Sequence, residues 1–239
     1  MDPLNRRSFL FASSGAAAGS LLVPGLTEAA EADTSPYAGS GLITGKPKPL
    51  RHAVVPGFLS AAQIAPHHTA HYSGALKAFV GVEKNFEEQF TKGTAVDAAA
   101  FERLKQLQSS RGNSVILHEL YFDGLALKAT NPPEGIRKAV EKRFGSLDKW
   151  AADFVASAKA AAGWAMLVIH PVNGRLYNVV SDEHAQGPLW LSAPLVVIDT
   201  YEHAFYIDYQ NKKAEYVEKF VKFTDWAEAD KRYRAVVKG

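Results

Sequence analysis

The chain contains no cysteine. That absence excludes disulfide bonds, thiolate metal sites and thiol nucleophiles, so a metal centre here would have to use nitrogen and oxygen donors. An excess of charge is missing too. Lys and Arg number 27 against 25 Asp and Glu, a formal net charge of +2, which makes no electrostatic case for nucleic acid as a partner. No internal repeat and no low-complexity tract is present. A long unbroken apolar run is also lacking: Ser8–Leu26 is interrupted by three glycines and Pro24, which makes it a poor membrane-spanning helix.

What is present suits one sizeable globular domain or two small ones, with 239 residues, 47% hydrophobic and 22% charged. Residues 1–32 read as a twin-arginine export signal. Arg6-Arg7 precede a mildly apolar segment rich in Ala, Gly, Ser and Leu, and Ala30-Glu31-Ala32 forms a small-residue cleavage pattern. The expectation is a periplasmic or extracellular protein with no stable membrane insertion once the signal is removed. Residues 33–56, punctuated by Gly, Pro and Ser, read as a linker or extended arm.

From Ser60 the pattern turns helical. Ile64, His67, His68, His71, Ala75 and Phe79 recur at three- and four-residue spacing, which places histidines on one helix face. A second helix is expected over Val82–Thr91 and a third from about Val96 to Gln108. A break follows at Ser109–Asn113, then an apolar helix over Ser114–Leu125 with His118 in its middle. Asn131-Pro132-Pro133 separates this helical part, residues 57–130, from a mixed part, residues 131–239. There, Ser146 can cap a helix with Asp148 in its first turn. Trp164–His170 and Arg175–Val180 flank Asn173-Gly174, the strongest short hairpin signal. A third strand, Leu195–Asp199, and two closing helices, about Ala214–Phe223 and Asp225–Val236, complete the expected elements.

Asp199 ends a buried apolar strand, and His203 follows four residues later where the chain can turn into a helix. Strand and helix would hold both side chains with little rotamer freedom left to lose, and Asp plus His suits iron, manganese or zinc. His67 and His71 lie one helical turn apart; that spacing also begins many zinc sites and by itself selects no reaction.

The run Asp199-Thr200-Tyr201-Glu202-His203-Ala204-Phe205-Tyr206 resembles the D-x-W-E-H-A-Y-Y signature of iron/manganese superoxide dismutases, with Tyr201 in place of Trp and Phe205 in place of Tyr. Ser60-x3-Ile64-x2-His67-x3-His71, His118–Leu125 and Ala162–Val168 are similar to further motifs of the family, and the likeness covers roughly residues 56–236. It implies an α+β fold: an N-terminal α-helical hairpin domain, then an α/β domain with a three-stranded antiparallel sheet, and the metal site between them. It implies His67, His118, Asp199 and His203 as ligands of one Fe or Mn ion per subunit. It implies superoxide as substrate, dismuted to oxygen and hydrogen peroxide by alternation of M(III) and M(II).

By the same resemblance, His71 supports the site from outside the ligand set, and a homodimer or tetramer forms through pairs Glu202/His203 and His71/Tyr206. Tyr201 lines the aromatic wall, and the donor to metal-bound solvent falls on His184 or Gln186. The sequence departs from the family at Ala75, where the gateway Tyr stands, and at Phe122 and Tyr201, which replace Trp. Shifting the alignment to make Tyr72 the gateway puts Ile64 at a ligand position, which cannot bind metal. Two other readings fit the residues: a non-catalytic metal-binding member of the fold, and a zinc-dependent hydrolase using His67 and His71 with Glu119 as base.

Overall fold

The computed structural model describes residues 35, 37–93 and 97–237; the expected export signal and the expected helix start at Val96 lie outside these. A short helix α1, Gly41–Thr44, is capped by the Ser40 hydroxyl, which accepts from the Leu42 N–H. The segment expected as linker or arm is tied down here. Lys48 pairs with Asp123 at 2.7 Å, and Arg51 pairs with Asp225 at 3.1 Å.

Helix α2, Ala61–Pro66, starts at Ser60, whose hydroxyl accepts from the Gln63 N–H. Pro66 has no N–H to give to the preceding turn, and the next residues, His67–Tyr72, widen into one π turn before α3 resumes at Ser73–Lys92. Such single-turn bulges occur mostly at functional sites. The separate helix expected at Val82–Thr91 is the second half of α3.

Helix α4 runs unbroken from Ala98 to Asp123, so the break expected at Ser109–Asn113 does not occur. The reason is tertiary. α4 packs antiparallel to α3, and a Cβ on Gly112 would sit 3.1 Å from the Phe79 ring. Glycine there costs about 1 kcal/mol of helix propensity, but it lets the two helices approach closely and leaves no reason to break.

Helices α5, Glu134–Phe144, and α6, Leu147–Ala160, follow; Ser146 caps α6 by accepting from the Lys149 N–H. Strands β1, Trp164–His170, β2, Arg175–Ser181, and β3, Ala193–Asp199, form an antiparallel sheet in the order β2-β1-β3. Gly174, at φ 63°, makes the expected hairpin turn. A 3-10 turn, Glu202–Ala204, and helix α7, Tyr206–Tyr209, lead into α8, Lys213–Lys222, and α9, Trp226–Val237.

β1 is buried on both faces from Trp164 to Ile169, and β3 from Leu195 to Asp199, because helices cover the sheet on either side. Each such Leu, Ile or Val contributes about 1.5–3 kcal/mol by burial. Arg232 is the buried cation of this core. Its guanidinium donates to the carbonyls of Leu195 in β3 and Leu120 in α4, which locks sheet to helix beside the site.

Candidate metal centre

Asp199 lies at the end of β3, opposite Trp164 at the start of β1. The strand end is pinned one residue further on, where the Thr200 N–H donates to the Gly163 carbonyl at 2.7 Å and the hydroxyl donates to the Ala161 carbonyl. Asp199 Oδ1 accepts from the Tyr201 N–H, an Asx-type bond that turns the chain toward the 3-10 helix. Oδ2 is left for the histidines. His67 Nε2 and His203 Nε2 both lie 3.1 Å from it, and His118 Nε2 lies at 3.7 Å. One donor atom from each of His67, His118, Asp199 and His203 falls within 4.8 Å of every other. A π turn, a long helix, a strand end and a 3-10 turn thus deliver four donors to one point.

The site is largely buried. His67, His118 and Asp199 are buried, and only His203 reaches the surface, with 21% of its side chain exposed. Burial lowers the basicity of His67 and pulls His118 down to about 3, so both are neutral at physiological pH. Burial works against the Asp199 carboxylate, but hydrogen bonds from His203 and His67 more than offset it and hold the carboxyl well below its usual range. The result is a buried negative charge held by histidine hydrogen bonds.

His118 Nδ1 lies 2.7 Å from the Ser114 carbonyl, which can only accept. Nδ1 therefore carries the proton and Nε2 the lone pair. That Nε2 is buried without a hydrogen-bond partner. Three imidazoles and one carboxylate, with the His118 nitrogen left orphaned at their common point, fit a divalent or trivalent transition metal.

Residues 132–232 match the family described as iron/manganese superoxide dismutases, C-terminal domain. Likeness to whole proteins extends further. The chain is 31% identical over 192 residues to manganese superoxide dismutase 2 of Haloferax volcanii, covering 80% of this chain and 95% of that protein. It is 34% identical over 184 residues to the iron superoxide dismutase of Aquifex aeolicus, covering 75% and 86%. The iron superoxide dismutase of Cupriavidus metallidurans is 34% identical over 183 residues, covering 75% and 91%.

The chain belongs to the iron/manganese superoxide dismutase family.

The helix-rich first part and three-stranded antiparallel sheet are those expected of an iron/manganese superoxide dismutase. Around the four donors, His71 is exposed and stacks its ring on His203, centroids 3.9 Å apart at 12°. Tyr201 also stacks on His203, centroids 5.3 Å apart at 12°, and donates its hydroxyl to the Asp182 carbonyl. Phe122 lies 4.8 Å from His67.

Between the two expected solvent-bonding groups, the structure brings His184 to the site and turns Gln186 away. His184 Nδ1 accepts from Trp164 Nε1–H at 3.0 Å, and its ring lies 6.3 Å from His118. Gln186 Oε1 instead accepts from the Asp182 N–H within its own loop. The difference is physical. The buried Trp164 indole needs an acceptor, and His184 is the loop residue that meets it.

Ala75 is buried, and the hydroxyl of Tyr72 does not replace the absent tyrosine. It donates to Glu119 Oε1 and accepts from the Lys48 N–H. Glu119 also accepts from the Gly41 N–H. Its Oε1 thus braces α1 against the π turn, and His71 is not among the four clustered donors, so the residues of a zinc hydrolase are not brought together. Glu202 and Tyr206 are exposed.

Some of the site's residues escaped the sequence reading. Tyr216 donates its hydroxyl to the Asp199 carbonyl at 2.8 Å and lies 3.1 Å from the Tyr121 hydroxyl. Gln63 holds the His203 backbone at 2.6 Å. Gln63 sits four residues before His67, on the same helix face, and that spacing was the available signal. Nothing local marks Tyr216.

Proposed function

We propose that this chain is a superoxide dismutase, which converts two superoxide anions and two protons into dioxygen and hydrogen peroxide. The observation that carries it is the buried cluster of three imidazoles and one carboxylate in a chain of this family. His67, His118, Asp199 and His203 would hold one iron or manganese ion. When bound, that ion supplies two accessible oxidation states, which zinc lacks.

The chain's own residues do the rest. Asp199 offsets the cation's charge in an apolar setting, which stabilises binding far more than it would at the surface. Ser114 fixes the His118 tautomer through its carbonyl. Peroxide formation consumes protons, and His184 is placed to present one. Trp164 Nε1 can only donate, so His184 Nδ1 must accept and the neutral ring carries its proton on Nε2. Burial lowers the basicity of His184, which keeps the ring in that neutral, donating form. The side of the centre bearing His203, His71 and Tyr201 is the side open to the substrate anion.

Two further readings belong to this proposal. Two copies pair through Glu202, His203, His71 and Tyr206; Glu202, His71 and Tyr206 are exposed and their side chains make no hydrogen bond among the described residues. The chain is exported, as Arg6-Arg7 and Ala30-Glu31-Ala32 imply, and the N-terminal mass of secreted protein tests this.

The test of function is metal content and superoxide turnover on the same purified sample, with Asp199→Asn as its partner. The wild type should hold iron or manganese and turn over superoxide. Asp199→Asn, of equal size, should fold and lose most metal and activity. Full metal and activity in that variant would overturn the proposed ligand set.

A further inference from the structure

His203 is the least secured of the four donors. His118 is built into a 26-residue helix and Asp199 ends a buried strand, whereas His203 sits in a three-residue 3-10 turn with no side-chain cap. It is also the one donor side chain with substantial exposure. Local structure of that length holds a side chain poorly, because few backbone bonds fix it. Something tertiary must define where His203 stands.

That something is Gln63. It lies in α2 and is 1% exposed. Its Nε2 donates to the His203 carbonyl at 2.6 Å, and its Oε1 accepts from the Ile207 N–H at 2.9 Å. A carbonyl can only accept and an N–H can only donate, so both partners dictate the same amide orientation. The two bonds straddle the segment 203–207 and staple it to the helix that leads into His67, whose ring lies 5.0 Å from that of His203. Gln63 donates to none of the four clustered atoms and is not itself a ligand. A second, outer clamp joins the same two segments: the Asp208 carboxylate accepts from the Ser60 N–H and hydroxyl, each at 2.7 Å.

We propose that Gln63 is a positioning residue for the metal centre: its side-chain amide sets the placement of His203 relative to His67 and thereby the metal affinity. The inference rests on reading the four-donor cluster as a metal centre. An apolar residue of the same size would leave the His203 carbonyl and the Ile207 N–H without their partner, and the turn would shift to rehydrate them.

The experiment compares wild type, Gln63→Leu, Gln63→Glu and Ser60→Ala. It measures manganese(II) affinity by chelator competition, the ligand-field absorption of the cobalt(II)-loaded protein, and the melting temperature of the metal-free chain. Gln63→Leu should weaken manganese affinity about 10–100-fold, the range for groups that orient ligands, and shift the cobalt absorption. Ser60→Ala removes the hydroxyl bond of the outer clamp together with the cap of α2 and should lower the melting temperature while leaving affinity and absorption unchanged.

Gln63→Glu keeps an acceptor for Ile207 but, ionised, cannot donate to the His203 carbonyl, so it should share the metal defect; it carries the test alone if Gln63→Leu does not fold. Wild-type affinity and absorption in Gln63→Leu or Gln63→Glu would overturn the inference and leave Gln63 a brace. Failure of the unmodified chain to bind manganese or cobalt would instead overturn the metal-centre reading on which it rests.

Discussion

Replacing Tyr216 with Phe removes one oxygen and breaks a chain of bonds that ends at the backbone of Asp199. Burial raises both Tyr216 and Tyr121 above the ordinary phenol range, so each keeps its single proton at neutral pH. The Asp199 carbonyl, 2.8 Å from the Tyr216 hydroxyl, can only accept. It therefore takes the Tyr216 proton, and the 3.1 Å contact between the two phenols is made by Tyr121 donating to Tyr216.

The two substitutions are then unequal. Tyr216→Phe orphans a buried acceptor, the Asp199 carbonyl, and a buried donor, the Tyr121 hydroxyl. At about 1–3 kcal/mol for each such group, the loss should be roughly 2–6 kcal/mol, a large share of a typical domain's total. Tyr121→Phe leaves Tyr216 still donating to Asp199 and should cost only about 0.5–1.5 kcal/mol, the net value of one hydrogen bond. The double variant should be no worse than Tyr216→Phe, because it no longer buries an unpaired Tyr121 hydroxyl.

Urea unfolding of the metal-free proteins reads these differences from the midpoints, given equal slopes. A Tyr121→Phe loss equal to or greater than that of Tyr216→Phe would refute the donor order argued here. Additive losses in the double variant would show that the two phenols are not coupled.

Acid should weaken the metal-free chain through His118. The unfolded chain takes up a proton near the ordinary 6.5, whereas the folded chain resists until about 3. Between those values the unfolded state binds more protons, so stability falls as pH falls. The loss from His118 is about 1.4 kcal/mol per pH unit, or about 2 kcal/mol between pH 7 and pH 5. His118→Gln should flatten the profile by that amount, and an unchanged slope by urea titration would contradict the burial argument. At the surface, Glu202→Ala should shift the sedimentation of the loaded protein from dimer toward monomer and lower turnover with it; a fully active monomer would refute the shared interface.

Much of this molecule is legible in its one-dimensional pattern. The apolar run into Asp199, the His203 four residues on, the Asn173-Gly174 turn and the Ser146 cap all report local rules. Continuous apolar runs, turn chemistry and capping act within a few residues, so they survive in the sequence. His67 and His118 were visible as histidines on helical faces, though their convergence on Asp199 was implied by family resemblance and not by spacing.

The tertiary structure decided what depends on residues far apart. Helix α4 passes through Ser109–Asn113 because Gly112 lets it pack against Phe79, and that long-range contact outweighs local breaker propensity. His184 and not Gln186 approaches the site because the buried indole of Trp164 takes it as acceptor. Gln63 reaches His203 across 140 positions of chain, and Tyr216 reaches the Asp199 carbonyl from a different helix. A buried polar group must find a partner or lose the free energy of its lost hydration, and which partner it finds is settled only when the elements pack.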